Sequence, residues 1–195
     1  MKKSLLSVAA VLLLASFLIS CEKTNTDPVL ATVSNSQPSK GSGVEITPSR
    51  TITGGCDPTE VTLIAGQNIN AGTINVSNDA NYIYVTYNSS NGYVLTQAHL
   101  YVGACALIPV NGQGNPIPGH FPYSATIPNL TTYTFQVPFS VIGTGNCGCV
   151  AAHCVLVKYD TNGNIIDTQT GWGNGSRINP HGGNWGMSFN YCTCL

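Results

Sequence analysis

The stretch "CGCVAAHCVLVKYDTNGNIIDTQT", residues 147–170, decides the fold class. From Cys149 the apolar and small residues alternate in a way that suits an extended chain. Cys149, Ala151, His153 and Val155 fall on one side, and Val150, Ala152, Cys154 and Leu156 on the other. Successive strand side chains point to opposite faces, whereas a helix would group residues three and four apart. Asn162-Gly163 then sits between two apolar runs, the pairing that favours a tight hairpin turn. The stretch therefore predicts strand, turn, strand. Asp160, Asn162, Asn164 and Asp167 are spaced like part of a calcium loop, but Ile165 stands where such a loop needs glycine, so the turn is preferred.

Working outward, the same period of two recurs. "TEVTLIA" (59–65) alternates weakly, and "GTINVSN" (72–78) follows. In "ANYIYVTYN" (80–88), Tyr82, Tyr84 and Thr86 oppose Ile83, Val85 and Tyr87. In "YVLTQAHLYVG" (93–103), Val94, Thr96, Ala98, Leu100 and Val102 oppose Tyr93, Leu95, Gln97, His99 and Tyr101. The "NSSNG" break (88–92) between the last two predicts a hairpin. "VNGQGNPIPGHFPYSATIPN" (110–129), rich in proline and glycine, predicts a long loop, and such loops in compact domains are usually functional or mobile. Strand resumes in "LTTYTFQVPFSVI" (130–142). "NWGMSFNYC" (184–192) puts Trp185, Met187, Phe189 and Tyr191 on one face. No helix is expected after the first twenty residues. Seven or eight strands make residues 56–195 an all-β domain, an antiparallel β-sandwich.

The chain opens "MKKSLLSVAAVLLLASFLISCEK". Lys2 and Lys3 precede an apolar run from Leu5 to Leu18 that is too short for a comfortable membrane span, so residues 1–20 read as a signal peptide. Leu18-Ile19-Ser20-Cys21 resembles the bacterial lipobox. That resemblance implies cleavage before Cys21, lipidation of its sulfur and acylation of the new terminus. Each buried CH2 contributes roughly 0.8 kcal/mol, so several acyl chains anchor the protein stably without a spanning segment. No Asp follows Cys21 directly, so the best-known inner-membrane retention signal is absent and the outer membrane is the expected address. Either its periplasmic or its surface side would serve. Residues 21–55, rich in Ser, Thr, Pro and Gly, read as a linker. Its 34 residues after Cys21 would span roughly 30 Å as a coil and about 110 Å when fully stretched.

Composition narrows the partners. Charged residues make up only 8% of the chain, far below the usual quarter. From Cys56 onward the only cations are Lys158 and Arg177, against Asp57, Glu60, Asp79, Asp160 and Asp167. Two cations cannot neutralise a phosphate backbone, so nucleic acid is excluded as a partner. The membrane is met through the lipid anchor, and the remaining partner is a glycan or an envelope protein.

"LYVG", "NPIPGHFPY", "CVAAHCVLV", "QTGWGNGSR" and "NWGMSFNYC" together resemble an uncharacterised domain of secreted and lipid-anchored bacterial proteins. That domain tends to carry a "TAWG-x-G" stretch and a closing "NWA-x-YF-x-Y". The likeness covers roughly residues 56–195. Gly171 replaces the family's usual Ala before Trp172, and Gly186 replaces the Ala after Trp185. The resemblance implies a β fold and export, and carries no catalytic residues.

Apart from Cys21, seven cysteines remain: Cys56, Cys105, Cys147, Cys149, Cys154, Cys192 and Cys194. An exported chain meets an oxidising environment, so structural disulfides are the preferred reading. Residues i and i+2 of a strand share a face, so each Cys-x-Cys presents two thiols side by side. Antiparallel pairing of the two segments would join Cys147 to Cys194 and Cys149 to Cys192. Cys154 points away from that pair, leaving Cys56 or Cys105 as its candidates and one thiol over. The competing reading is a zinc site of Cys147, Cys149, His153 and Cys192 or Cys194, for which Cys-x-Cys on a strand is a poor spacing. A redox pair would want Cys-x-x-Cys at a helix start.

No catalytic residue, resident metal or cofactor is expected. There is no Gly-x-Ser-x-Gly elbow, and the carboxylates are too scattered to suggest a glycosidase pair. His153 reads as a core histidine, His99 as lying on a partly exposed face, and His120 and His181 as loop residues. "GWGNGSRINPHGGNW" (171–185) is the stretch most like a binding surface, with Trp172, Asn174, Arg177 and His181 as ligand-binding candidates. Trp185 is expected in the core, and Trp172 either caps the core or stacks on a sugar. The first function reading is a non-catalytic binding or structural module of the envelope. The alternatives are a hydrolase with its site in the 111–129 loop or around His181, and a metal-binding envelope protein. Clustering of His120, His181 and a carboxylate would favour the hydrolase. Cys21→Ser is expected to abolish incorporation of labelled palmitate, and globomycin to accumulate the unprocessed precursor.

Overall fold

The computed structural model describes residues 58–193. The signal peptide, Cys21, the linker, Cys56 and Cys194 lie outside the described residues. The strands run β1 (Thr59–Ala65), β2 (Ile69–Asn78), β3 (Tyr82–Ser89), β4 (Tyr93–Gly103), β5 (Tyr123–Leu130), β6 (Thr132–Pro138), β7 (Cys147–Tyr159), β8 (Ile165–Gly173), β9 (Ser176–Arg177) and β10 (Met187–Cys192). Three short 3-10 segments, Cys105–Leu107, Pro118–His120 and Phe139–Gly145, are the helical content of the described residues. The fold is all-β and antiparallel, as expected.

One continuous sheet runs in the order β5-β4-β7-β8-β1-β2-β3-β6 and curls into a nearly closed, barrel-like shape. The layers of the expected sandwich are the two halves of this sheet. They join where β1 pairs with β8 over only three residues, Leu63 to Ala65 against Gly173 to Gly171. The main core fills the space between them with the alternating residues of each strand. Ile74 and Val76, Ile83, Val85 and Tyr87, Phe135 and Val137 come from one half; Leu95, Leu100, Val150, Ala152, Cys154 and Leu156 come from the other. Two tyrosines tie across it. The Tyr87 hydroxyl donates to the His99 carbonyl at 3.0 Å, and the Tyr191 hydroxyl donates to Asn78 Oδ1 at 2.7 Å. Burial pushes the Tyr87 phenol well above its ordinary pKa and Tyr191 up to about 12, so both remain donors.

Three expectations about the strands are corrected. The "NSSNG" break is not a hairpin: β3 is flanked by β2 and β6, and β4 by β5 and β7. Asn91 and Gly92 both take positive φ, 56° and 82°, which is the chemistry of a hairpin turn. Here it serves an arch that carries the chain from one half of the sheet to the other, with the apolar faces of β3 and β4 turned toward each other. The unbroken alternation in β4 fails at a bulge between Leu95 and Gln97. An extra residue there lets Leu95 and Ala98 both point into the core. The 110–129 loop ends early, because Tyr123–Leu130 forms β5. Among the named strands β5 pairs only with β4, an edge position where Pro128 removes no ladder bond that another strand needs.

The "DTNGNIID" turn is as expected: β7 and β8 form a hairpin, and Asp160 Oδ1 accepts from the backbone N–H groups of Asn162 and Asn164. The carboxylate is occupied in closing its own turn. Disulfides form, but with a connectivity different from the expected one. In the ladder Cys192 lies opposite Cys147 and Asn190 opposite Cys149. The bonds are accordingly Cys147–Cys192 and Cys105–Cys149. The register sits two residues from the one assumed, a slip that keeps Phe189 and Tyr191 facing the core and changes only which cysteines stand opposite each other. Cys154 faces that core as a buried free thiol, bonded to neither Cys56 nor Cys105. Among the described residues, Cys147, Cys149 and Cys192, which the zinc reading would use as thiolates, are all disulfide-bonded.

Cys147–Cys192 closes a sequence separation of 45 residues. Replacing both cysteines with Ala is expected to lower stability by about 2–4 kcal/mol, read from urea midpoints with and without reductant.

Candidate functional site

The outer face of β4, β7 and β8 is covered by two connections, residues 104–122 and 174–186. The first carries Ile108 and Phe121 onto Tyr101, Cys149, Ala151 and Trp172, making a second, smaller core. Ile178, Trp185 and Met187 pack against it from the other side. Ring contacts run through it: Tyr101 to Phe121 at 6.2 Å, Phe121 edge-on to Trp172 at 6.2 Å, and Trp172 edge-on to His153 at 4.8 Å. Cys105–Cys149 bolts the first connection to β7. The segment pairs its own backbone only locally, around an antiparallel bridge between Val110 and Pro116, and the disulfide and the aromatic anchors hold it against the sheet.

Above this small core the two connections meet in a shallow cleft of about 520 Å³, lined by Gln113, Gly114, Asn115, Ile178, Asn179, Pro180, His181, Gly182 and Gly183. Asparagines stitch its walls together. Asn179 is buried, and its Nδ2 donates to the Gln113 carbonyl at 2.9 Å and to Asn115 Oδ1 at 3.1 Å. Its Oδ1 accepts from the His181 backbone N–H at 3.1 Å. Asn115 Oδ1 also accepts from the Asn184 N–H, and Asn184 Nδ2 reaches the Pro116 carbonyl. Two glycines of this region are closely packed. A Cβ at Gly186 would stand 2.3 Å from the Pro116 ring, and one at Gly171 would press on Cys154, Leu156 and Leu63.

The expected site residues are distributed unevenly. His181 lines the cleft. Trp172 is 4% exposed beneath Phe121, so its ring has no face free for a sugar. Trp185, expected in the core, is only half-buried at its rim. Asn174 and Arg177 are exposed and outside the cleft lining; the Asn174 N–H donates to the Thr62 carbonyl, and Arg177 pairs with Met187 in the β9–β10 ladder. His120 is exposed on its 3-10 turn and does not line the cleft, nor does any Asp or Glu. Sequence reasoning missed Gln113, Asn115 and Pro180. Their signal was the Asn/Gly/Pro clustering of both loops, but nothing in the chain says that two such loops meet. A further surface lies on the outer side of β2, β3 and β6. There Tyr82, 38% exposed, stands 6.5 Å from Tyr84, and further along the same strands Asn75, Asn88 and Thr132 are linked by side-chain hydrogen bonds.

Next to the small core lies a pair that the sequence did not connect. His99 on β4 and His153 on β7 are directly opposite in the ladder, with Nδ1 to Nδ1 at 3.4 Å. Burial, followed by the neighbouring His99, lowers the His153 pKa to about 3; burial lowers that of His99 too. Comparison with protein-family models, with curated proteins and with solved structures finds no match to this chain.

The unfolded chain takes up a proton at His153 near pH 6.5, whereas the folded chain resists it down to about pH 3. Over that window the unfolded state binds more protons, so stability falls as pH falls, by up to about 1.4 kcal/mol per pH unit from this group. Thermal melts between pH 7 and 3 should show this slope, and His153→Phe should flatten it.

Proposed function

We propose that this chain is a lipid-anchored protein of the outer membrane whose β domain binds a neutral polar partner, a glycan foremost, without performing chemistry on it. One observation carries the reading: the cleft between the two connections offers amides, glycine backbone and a single imidazole, with no carboxylate among its lining residues. Neutral sugars are recognised by a small number of well-placed amide and backbone groups against apolar surface, here the Pro180 ring and Ile178. The asparagine stitching holds those groups in place before any ligand arrives, which reduces the ordering cost of binding. A hydrolase would need an acid and a base within reach of one bond, and His181 has neither His120 nor a carboxylate beside it in the lining.

Address and chemistry agree with each other. Two disulfides fit an oxidising compartment outside the cytoplasm, the setting that the lipobox-like Leu18–Cys21 implies. A domain whose only cations from Cys56 on are Lys158 and Arg177 would meet a neutral polysaccharide without electrostatic steering, so its selectivity would come from hydrogen-bond geometry.

A glycan array probed with the purified chain in detergent tests this. Binding to neutral glycans is expected, weakened about tenfold, or ~1.4 kcal/mol, by Gln113→Ala or His181→Ala. A clean negative across the array would remove the glycan and leave an envelope protein as the partner. Hydrolysis of any arrayed sugar would overturn the non-catalytic reading.

A further inference from the structure

We propose that His99 and His153 form a two-imidazole site for a zinc ion on the outer face of the β4–β7 pair. The geometry is that of two ligands on one tetrahedral ion. Nitrogens each about 2.05 Å from such an ion stand about 3.3 Å apart, whereas cis positions on a square-planar ion would place them at about 2.9 Å. The two Nδ1 atoms are 3.4 Å apart. That spacing is longer than a good N–H hydrogen bond, which prefers 2.7–3.2 Å. The backbone ladder therefore holds the imidazoles at a separation that suits an ion better than it suits a shared proton.

Two further features support it. Both ligands sit on central strands as direct cross-strand neighbours, so their Cα positions are set by the sheet and not by a loop. The Trp172 ring packs edge-on against His153 at 4.8 Å and restrains that imidazole. The ladder neighbours of the two histidines on this face are Ser124 beside His99 and Trp172 beside His153, neither of them charged. Among the described residues no third His, Cys, Asp or Glu joins the pair. The site is therefore an open one: His99 is half-buried, and water reaches the remaining positions from its side. An affinity in the micromolar range is expected, well short of a closed structural zinc site. This site is separate from the cleft and stands independently of the glycan reading.

The test uses the purified full chain, stripped with chelator and titrated with zinc from micromolar to well above the expected dissociation constant. One zinc ion per chain is expected, together with a change in tryptophan fluorescence as Trp172 responds. His99→Gln and His153→Phe should each weaken binding at least tenfold, while His120→Ala/His181→Ala should retain it, which separates this pair from the exposed loop histidines. Cobalt(II) substituted into the unaltered chain guards against a variant that fails to fold. Visible bands of tetrahedral nitrogen–oxygen coordination would support the site. Absence of bound metal, binding unchanged by His99→Gln, or an intense thiolate charge-transfer band would overturn it.

Discussion

Strand β7 is buried on both faces, and the rest of the domain is arranged to satisfy that condition. Its inner face, Val150, Ala152, Cys154 and Leu156, belongs to the main core, and its outer face, Cys149 and Ala151, belongs to the second one. A strand at the centre of a two-layer fold ordinarily turns one face to the opposing layer and the other to water. Here the outer face is small and apolar, with a desolvated imidazole at His153. It needs a cover, and the two proline- and glycine-rich connections supply it. Phe121 comes down from one side, Trp185 and Met187 from the other, and the Cys105–Cys149 bond fastens the first connection. The cleft is the place where these covers meet, so its existence follows from the packing demand of β7.

A domain with so few charges must satisfy its polar groups internally. Among the described residues no buried side-chain nitrogen or oxygen lacks a partner. Asparagine does much of this work because its amide both donates and accepts: Asn179 joins the two connections, and Asn78 receives the Tyr191 hydroxyl across the core. The same residues leave the surface neutral. The proposed anchoring at Cys21 and the proposed neutral partner both suit such a surface, which would gain little from salt-dependent attraction.

How much was legible in the sequence varied with the range of the interaction. Alternation in residues 149–156 and 82–87 identified strands and sorted their residues onto the right shared faces, because side-chain direction in a strand depends only on the parity of the position. The Asn162-Gly163 hairpin was legible for the same local reason. The Asn91-Gly92 arch was not, since an identical pair of left-handed residues turns the chain whether the strands then pair or face each other. Parity also says nothing of register along the strand, and that is why the cysteine faces were foreseen while the bonds Cys105–Cys149 and Cys147–Cys192 were not.

By itself, then, the sequence determined an all-β antiparallel domain, cysteines able to pair and a chain poor in charge, all of which follow from local periodicity and composition. Only the tertiary structure decided that Trp172 is covered, that His181 shares a cleft with Gln113 and Asn115, and that His99 faces His153. Each of these depends on which distant segments share a neighbourhood. That is settled by the competition of many apolar residues for one core, which no short stretch of sequence contains.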